Sequence, residues 1–274
     1  MITRVTGEPA YVLHHYDWSE SSVIVETFTR HYGRVALVAR GAKKPSSNFR
    51  PVLLPMQALL LAWSGDAEVR ALKGAEWGGG PVLPASARGG DALLAGYYAN
   101  ELLLRLLARD DPHPRLFDGY ALLMRALADD GEDVSSATLP SQGGERAAVS
   151  RAAALRAFEL LLLREAGLLP ALDAATLTLA PLAAAAPYHL SPEGGLLSSD
   201  GVDSETSALP GACWLALEQA LRAAAPFSAL RAAIEPWAPR DRAQLRRILR
   251  AWLHVHGSGQ PLKTRQLLHD LQML

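Results

Sequence analysis

The run GGGPVLPASARGG, residues 78–90, divides this chain into two textures that no one regular architecture accommodates. Gly78, Gly79, Gly80, Gly89 and Gly90, with Pro81 and Pro84, interrupt helix and strand alike, so a boundary is expected here. Before it, short apolar runs rich in Val, Leu, Ile and aromatics recur about every ten residues. After it, apolar residues recur at helical spacing. The chain has 274 residues, long enough for about two domains at the usual ~100–200 residues each. The expected organisation is residues 1–78 as a β domain, 79–90 as a linker and 91–274 as an α-helical domain.

In the first part, Ala10–Tyr16, Ser22–Phe28, Arg34–Arg40, Val52–Trp63 and Ala67–Glu76 read as five strands. Within Ser22–Phe28, Val23, Val25 and Thr27 alternate with Ile24, Glu26 and Phe28, which sends one set inward and the other outward. The turn His31-Tyr32-Gly33-Arg34 returns the chain antiparallel. Five strands in so short a span predict a small barrel, most economically an OB-fold, whose sheet face and loops commonly bind single strands. The fold class is therefore α+β, an N-terminal five-stranded OB-fold barrel followed by an α-helical C-terminal domain.

In the second part, Ala92–Arg109 places Leu94, Tyr98, Leu102 and Leu106 on one stripe, widened by Leu103 and Leu107. Pro112 and Pro114 end that helix, and Leu116–Ala128 begins another. A third spans Glu145–Ala166 and stops at Gly167, a C-cap candidate. Ala212–Ala224, a short piece at Ser228–Ile234, Arg240–His256 and Thr264–Leu274 complete the helical reading. Ala183–Ala186 lies between Pro181 and Pro187 and belongs to a loop.

Charge is distributed unevenly. The formal net charge is −1, yet between Thr27 and Gly65 the sequence carries Arg30, Arg34, Arg40, Lys43, Lys44 and Arg50 and no Asp or Glu. Lys and Arg on a loop between strands suit phosphates, because each contact releases a condensed counterion; a solvated loop has the same composition. A second acid-free stretch runs from Arg242 to His269, where Arg242, Arg246 and Arg250 align at i, i+4, i+8 with Arg247 beside them. This face is compatible with solvent or with an anion, and periodicity does not choose between them.

Several function classes receive no support. One cysteine, Cys213, rules out an intrachain disulfide and a cysteine-rich zinc site. No signal-peptide pattern or membrane-length apolar run is present, which points to the cytoplasm. There is no phosphate-loop lysine motif, dinucleotide fingerprint or G-x-S-x-G elbow. His254 and His256 are two apart and point to different sides of a helix, so they do not share a metal there. His14 and His15 face opposite ways on a strand. The pairs Asp110-Asp111 and Asp129-Asp130 have no partner that would make them an acid/base device. The expectation is a non-enzymatic protein without metal or cofactor. Trp18, Tyr32 and Phe49 lie in or near the basic barrel segment and are candidates to stack bases; Phe28 is better placed for packing.

Four ordered segments carry a family resemblance. AYVLHHYDWSESSVIVETFTRHYGRVALVARGAKKPSSNFRPVLLPMQALLL resembles the barrel of the bacterial RecO recombination mediators. YYANELLLRLL followed by DPHPRLFDGYALLMRAL is similar to that family's first two C-terminal helices. LRAFELLLLREAGLLPALD resembles its L-R-x-F-E segment, and LRRILRAWLHVHGSGQPLKTRQLL its terminal segment.

The resemblance implies an OB-fold, a helical domain and a role in DNA repair and recombination without covalent catalysis. It implies binding of single- and double-stranded DNA, strand annealing, contact with the acidic C-terminal tail of the single-stranded-DNA-binding protein (SSB), and action with RecR, in the RecF pathway, to help load RecA. Residues matching the family's basic motif are Arg34, Arg40, Lys43, Lys44 and Arg50, expected on DNA together with Arg246, Arg247 and Arg250. For the SSB tail the expected residues are Arg105, Arg151, Arg156, Leu155, Phe158 and Leu162, with Leu102 and Arg164 nearby. Many relatives carry a four-cysteine zinc module where this chain reads PYHLSPEGGLL, so a zinc-free version is expected. The location implied is cytoplasmic and nucleoid-associated. The alternative reading is an OB-fold RNA-binding accessory protein.

Overall fold

The computed structural model describes residues 4–81, 90–129, 140–199, 208–257, 259–260 and 262–264. The chain forms two compact units, one of Met1–Ala128 with Leu262–Leu274 and the other of Asp129–Pro261. The compact units therefore divide at Ala128, after the first two helices, rather than at the glycine-rich stretch. Most of the expected linker, residues 82–89, lies outside the described residues, as does most of the expected helix Thr264–Leu274.

The first unit begins with β1 (Arg4–Asp17), β2 (Val23–Thr29), β3 (Gly33–Ala39), β4 (Ala58–Ser64) and β5 (Val69–Trp77). They close into a barrel in the order β1-β2-β3-β5-β4, with β3 and β5 parallel and the other pairs antiparallel. This is the five-stranded OB topology that the strand spacing predicts. Closure depends on the 14-residue β1, whose first part pairs with β4 and whose second pairs with β2. Register shifts between Val5 and Glu8 and between Val12 and His14 bend it from one partner to the other. Expected strands agree in place, except that Val52–Trp63 yields a strand only from Ala58 onward.

The barrel core contains Val12, Val25, Val35, Leu37, Leu59, Leu61, Trp63 and Leu72, all buried. Glu26, Phe28, Arg34 and Ala36 occupy the alternate, outward positions of β2 and β3. They are nevertheless covered, because α1 (Gly90–Leu106) and α2 (Pro114–Ala128) belong to the same unit. Tyr11 and Phe28 pack on Phe117 and Tyr120, with ring centroids 4.9–6.3 Å apart. Phe28 is thus a packing residue. On α1 the buried positions are Ala92, Gly96, Ala99, Asn100, Leu102 and Leu103, whereas Leu94, Tyr98 and Leu106 are only half-buried. Small residues replace part of the expected Leu/Tyr stripe, and the Asn100 amide reaches across to donate to the Leu13 carbonyl at 3.0 Å.

The second unit is built on α3 (Pro140–Glu165), which begins before the expected Glu145. Residues 160–163 are all buried leucines, so its last turns are apolar all round, as in a central helix. It ends at Gly167, whose φ of +70° allows the Leu168 and Gly167 N–H groups to bond the Leu163 and Arg164 carbonyls. This is the glycine C-cap that the sequence predicts. Helices α4 (Gly211–Leu221), α5 (Pro226–Ile234) and α6 (Pro239–His256) follow. The unit is not purely helical: β6 (Pro187–Ser191), β7 (Gly195–Ser198) and β8 (Ala208–Pro210) form a small antiparallel sheet. Periodicity missed it because its strands have three to five residues. Ala183–Ala186 is a loop, as its flanking prolines require.

Glu218 ties this unit together, accepting from Arg164 at 2.7 Å and from the Leu172 N–H at 2.9 Å. Burial pushes its carboxyl up, but those hydrogen bonds and the charges of Arg164 and Arg222 outweigh burial and hold the pKa below the ordinary value. Its contribution to stability is complete above the unfolded-state value of about 4.3 and is lost as pH falls through the depressed folded-state value. Glu218→Gln is expected to lower stability at neutral pH and to flatten this part of the acid limb. Urea unfolding from about pH 5 to about pH 2.5 measures it; an acid limb as steep as that of the unsubstituted chain contradicts the assignment.

Candidate nucleic-acid interface

The helices leave one end of the outer barrel face open. The outward pair Ile24 and Val38 is only half-buried, in contrast to Phe28 and Ala36 farther along the same strands. Two grooves meet there. One, of about 590 Å³, is lined by Trp18, Ser21, Val38, Arg40, Lys44 and Val69, among others. The other, of about 410 Å³, shares Arg40, Gly41 and Lys44 and extends past Ser46, Asn48, Phe49 and Lys73. The shared residues make this one channel running from the β1–β2 turn, across the end of β3, to β5; Arg40, Lys44 and Lys73 outnumber the single carboxylate on it, Glu76. In OB-folds the face of strands 2 and 3 and the β1–β2 and β4–β5 loops carry oligonucleotides; this channel takes in the end of β3 and the β1–β2 turn and adds the β3–β4 loop.

The channel walls are fastened by the chain's own hydrogen bonds. The Lys43 N–H donates to the Ser21 carbonyl at 3.0 Å, and the Gly41 N–H to Ser22 Oγ at 3.4 Å. Lys43 Nζ donates to the Ser19 carbonyl at 2.9 Å and pairs with Asp17 at 2.8 Å. The hydrogen bond from Lys43 holds the Asp17 carboxyl below the usual carboxylate range. Lys43, expected to contact DNA, is thus a clasp between the β1–β2 turn and the β3–β4 loop. Lys44 and Arg40 are exposed, as is Arg50 beyond the channel.

Arg34 is a correction. Its side chain is only 11% exposed and donates to the Leu104 and Leu107 carbonyls at 2.7 and 2.6 Å, with Glu26 at 3.3 Å. An arginine consumed by carbonyls at the end of α1 is not available to phosphate. Lys73 belongs to the channel and was missed, because a lone lysine in a strand carries no pattern. On α6, Arg246, Arg247 and Arg250 are exposed opposite the buried Leu245, Ile248, Leu249 and Trp252. Arg242 leaves that row to donate to the Glu235 and Trp237 carbonyls at 2.9 and 2.8 Å.

The residues expected at an apolar pocket do not form one. Phe158 and Leu162 are fully buried core residues and Leu155 is half-buried. Arg156 pairs with Glu159 at 2.8 Å, and Arg105 with Glu101 at 2.7 Å. Arg105 and Leu102 also belong to the first unit, whereas Arg151 to Leu162 belong to the second. Arg151 reaches the Asp129 carbonyl at 3.5 Å, and Arg164 is held by Glu218. Helical spacing that places Phe and Leu beside Arg describes a core helix as well as a pocket, and here burial decided for the core.

The comparisons with known proteins agree with this architecture. The family model for the Recombination protein O N terminal matches residues 2–80, and that for its C terminal matches residues 88–139. The DNA repair protein RecO of Variovorax paradoxus strain S110 is 56% identical over 272 residues, 99% of this chain and 98% of that protein. The chain belongs to the RecO family. RecO proteins of Polaromonas sp. strain JS666 and Acidovorax ebreus strain TPSY are 55% and 54% identical, with the same coverage. The family models meet near the glycine-rich stretch, where the sequence texture changes, although α1 and α2 pack with the RecO barrel. A four-cysteine zinc site does not fit this chain. Cys213 is its single cysteine, and among the described residues no three His, Cys, Asp or Glu side chains converge. Leu190, Leu196, Leu209 and Trp214, all buried, fill the small sheet region instead, and Trp214 Nε1 donates to the Tyr188 carbonyl at 3.2 Å.

Proposed function

We propose that this RecO-family chain is a recombination mediator in DNA repair that binds and anneals DNA through the barrel channel and the arginine face of α6. The reading includes contact with the acidic SSB tail and action with RecR to promote RecA loading on SSB-coated strands. It is a binding function without covalent chemistry, in the cytoplasm at the nucleoid. The observation that carries it is the open channel holding Arg40, Lys44 and Lys73 on an OB barrel in a chain whose net charge is only −1.

The physics of such a mediator is electrostatic. Lys and Arg displace the cations condensed on the phosphates, which holds the strand without reading its sequence. Annealing brings two polyanions together, and the chain offers two cationic surfaces to neutralise them. An acidic tail is suited to exposed arginines through charge-assisted bonds, and Arg246, Arg247 and Arg250 are exposed together on α6.

Arg40→Ala/Lys44→Ala is expected to weaken single-strand binding by about one order of magnitude and to reduce the salt slope by about 0.7 for each phosphate no longer neutralised. Fluorescence anisotropy over a salt series measures both. Unchanged affinity and slope remove the channel from the proposal. Arg246→Ala/Arg247→Ala/Arg250→Ala tests α6, with an SSB tail peptide and a labelled strand measured separately; unchanged binding of both ligands removes the α6 face.

A further inference from the structure

We propose that Trp18 is the base-stacking residue of the barrel channel and makes this surface prefer an unpaired nucleobase to a duplex. The inference rests on reading the channel as a polyanion site and names its preferred substrate, a single strand.

Trp18 is 65% exposed, although indole is among the largest apolar groups a chain can bury. Exposure by itself is ordinary, since single apolar residues are common on surfaces. Position and a held backbone make Trp18 different. It lines the 590 Å³ groove with Val38 and Val69 as apolar neighbours and Arg40 and Lys44 as cations. A base needs an aromatic or apolar face and its phosphate needs a cation, and both are within one groove.

The backbone that carries the ring is fixed before any ligand arrives. The N–H groups of Trp18 and Ser19 donate to the Ser22 carbonyl at 3.2 and 3.3 Å, and the Ser22 N–H donates to Ser19 Oγ at 3.2 Å. Lys43 grips the residues on either side of Trp18, the Asp17 carboxylate and the Ser19 carbonyl. With the backbone held, only the two side-chain torsions of the indole are left to order on binding. Bases in a duplex are already stacked on one another and reach Trp18 only after unstacking. Trp77 provides an internal control, being 59% exposed but lining neither groove.

The test uses the full chain and fluorescence anisotropy with labelled oligo-dT, an abasic oligomer of equal length and a hairpin duplex. Trp18→Ala is expected to lose roughly 5- to 100-fold in affinity for oligo-dT. It should bind the abasic oligomer and the duplex within about twofold of the unsubstituted chain, with the same salt slope, because no charge is removed. Trp18→Phe should retain most of the oligo-dT affinity, and Trp77→Ala all of it. Equal losses on oligo-dT, abasic strand and duplex overturn stacking, since the residue then only shapes the loop. Unchanged oligo-dT binding by Trp18→Ala also overturns it, while loss in Arg40→Ala/Lys44→Ala keeps the channel; if neither variant weakens binding, the channel reading fails too. An acidic, aromatic-ended peptide whose binding requires Trp18 when oligo-dT binding does not overturns the nucleobase assignment in favour of a peptide.

Discussion

Glu26→Ala is expected to cost about 3–5 kcal/mol of stability, the range for removing one partner of a buried ion pair. Glu26 is 2% exposed on the outer face of β2, where it receives Arg34 at 3.3 Å and Arg109 on its other oxygen. The hydrogen bond that Arg109 donates to Glu26 raises the guanidinium pKa further, so it stays charged. Without the carboxylate, Arg34 would remain a charge among backbone carbonyls, with no counter-ion to compensate it. The effect is structural, so the denaturant midpoint should fall while Lys44→Ala leaves it unchanged within about 0.5 kcal/mol. Urea unfolding of both variants measures this; a Glu26→Ala cost below about 1 kcal/mol would mean that the network is solvated.

Gly33→Ala is expected to destabilise by about 2–5 kcal/mol, combining left-handed backbone strain with overpacking. Gly33 has φ of +67° in the β2–β3 turn, and a Cβ there would overlap the Asp111 carbonyl. The approach is this close because the segment after α1 lies on the turn: the Asp110 N–H donates to the Arg34 carbonyl at 3.0 Å. Alanine must therefore strain the turn and displace residues 110–111 together. Chemical denaturation reads the loss, and a drop of no more than about 1 kcal/mol, the left-handed strain alone, would show that the segment yields freely.

These two residues explain why the basic segment was only partly legible. Arg34, Arg40, Lys43 and Lys44 look alike as a charge run, and all are the right residue types for phosphate. Their fates differ through neighbours distant in sequence. Arg34 meets carbonyls some 70 positions away, Lys43 meets Asp17 and Ser19, and Arg40 and Lys44 meet solvent. The same reason accounts for Phe158 and Leu162, where helical spacing locates the apolar face and the packing around α3 fills it.

The amino-acid sequence determined the quantities that depend on neighbours along the chain. Alternation in β2 set which residues point into the barrel, Gly167 set where α3 ends, and the four family segments set the lineage. It also limited metal chemistry through its single cysteine. The tertiary structure decided what depends on burial. It placed α1 and α2 on the barrel, covered Phe28 and Glu26, turned Arg34 inward, and joined Trp18 and Lys73 to one channel from opposite ends of the barrel sequence. Local periodicity reports which face of an element is apolar; which charge stays in water depends on what the completed fold brings against it.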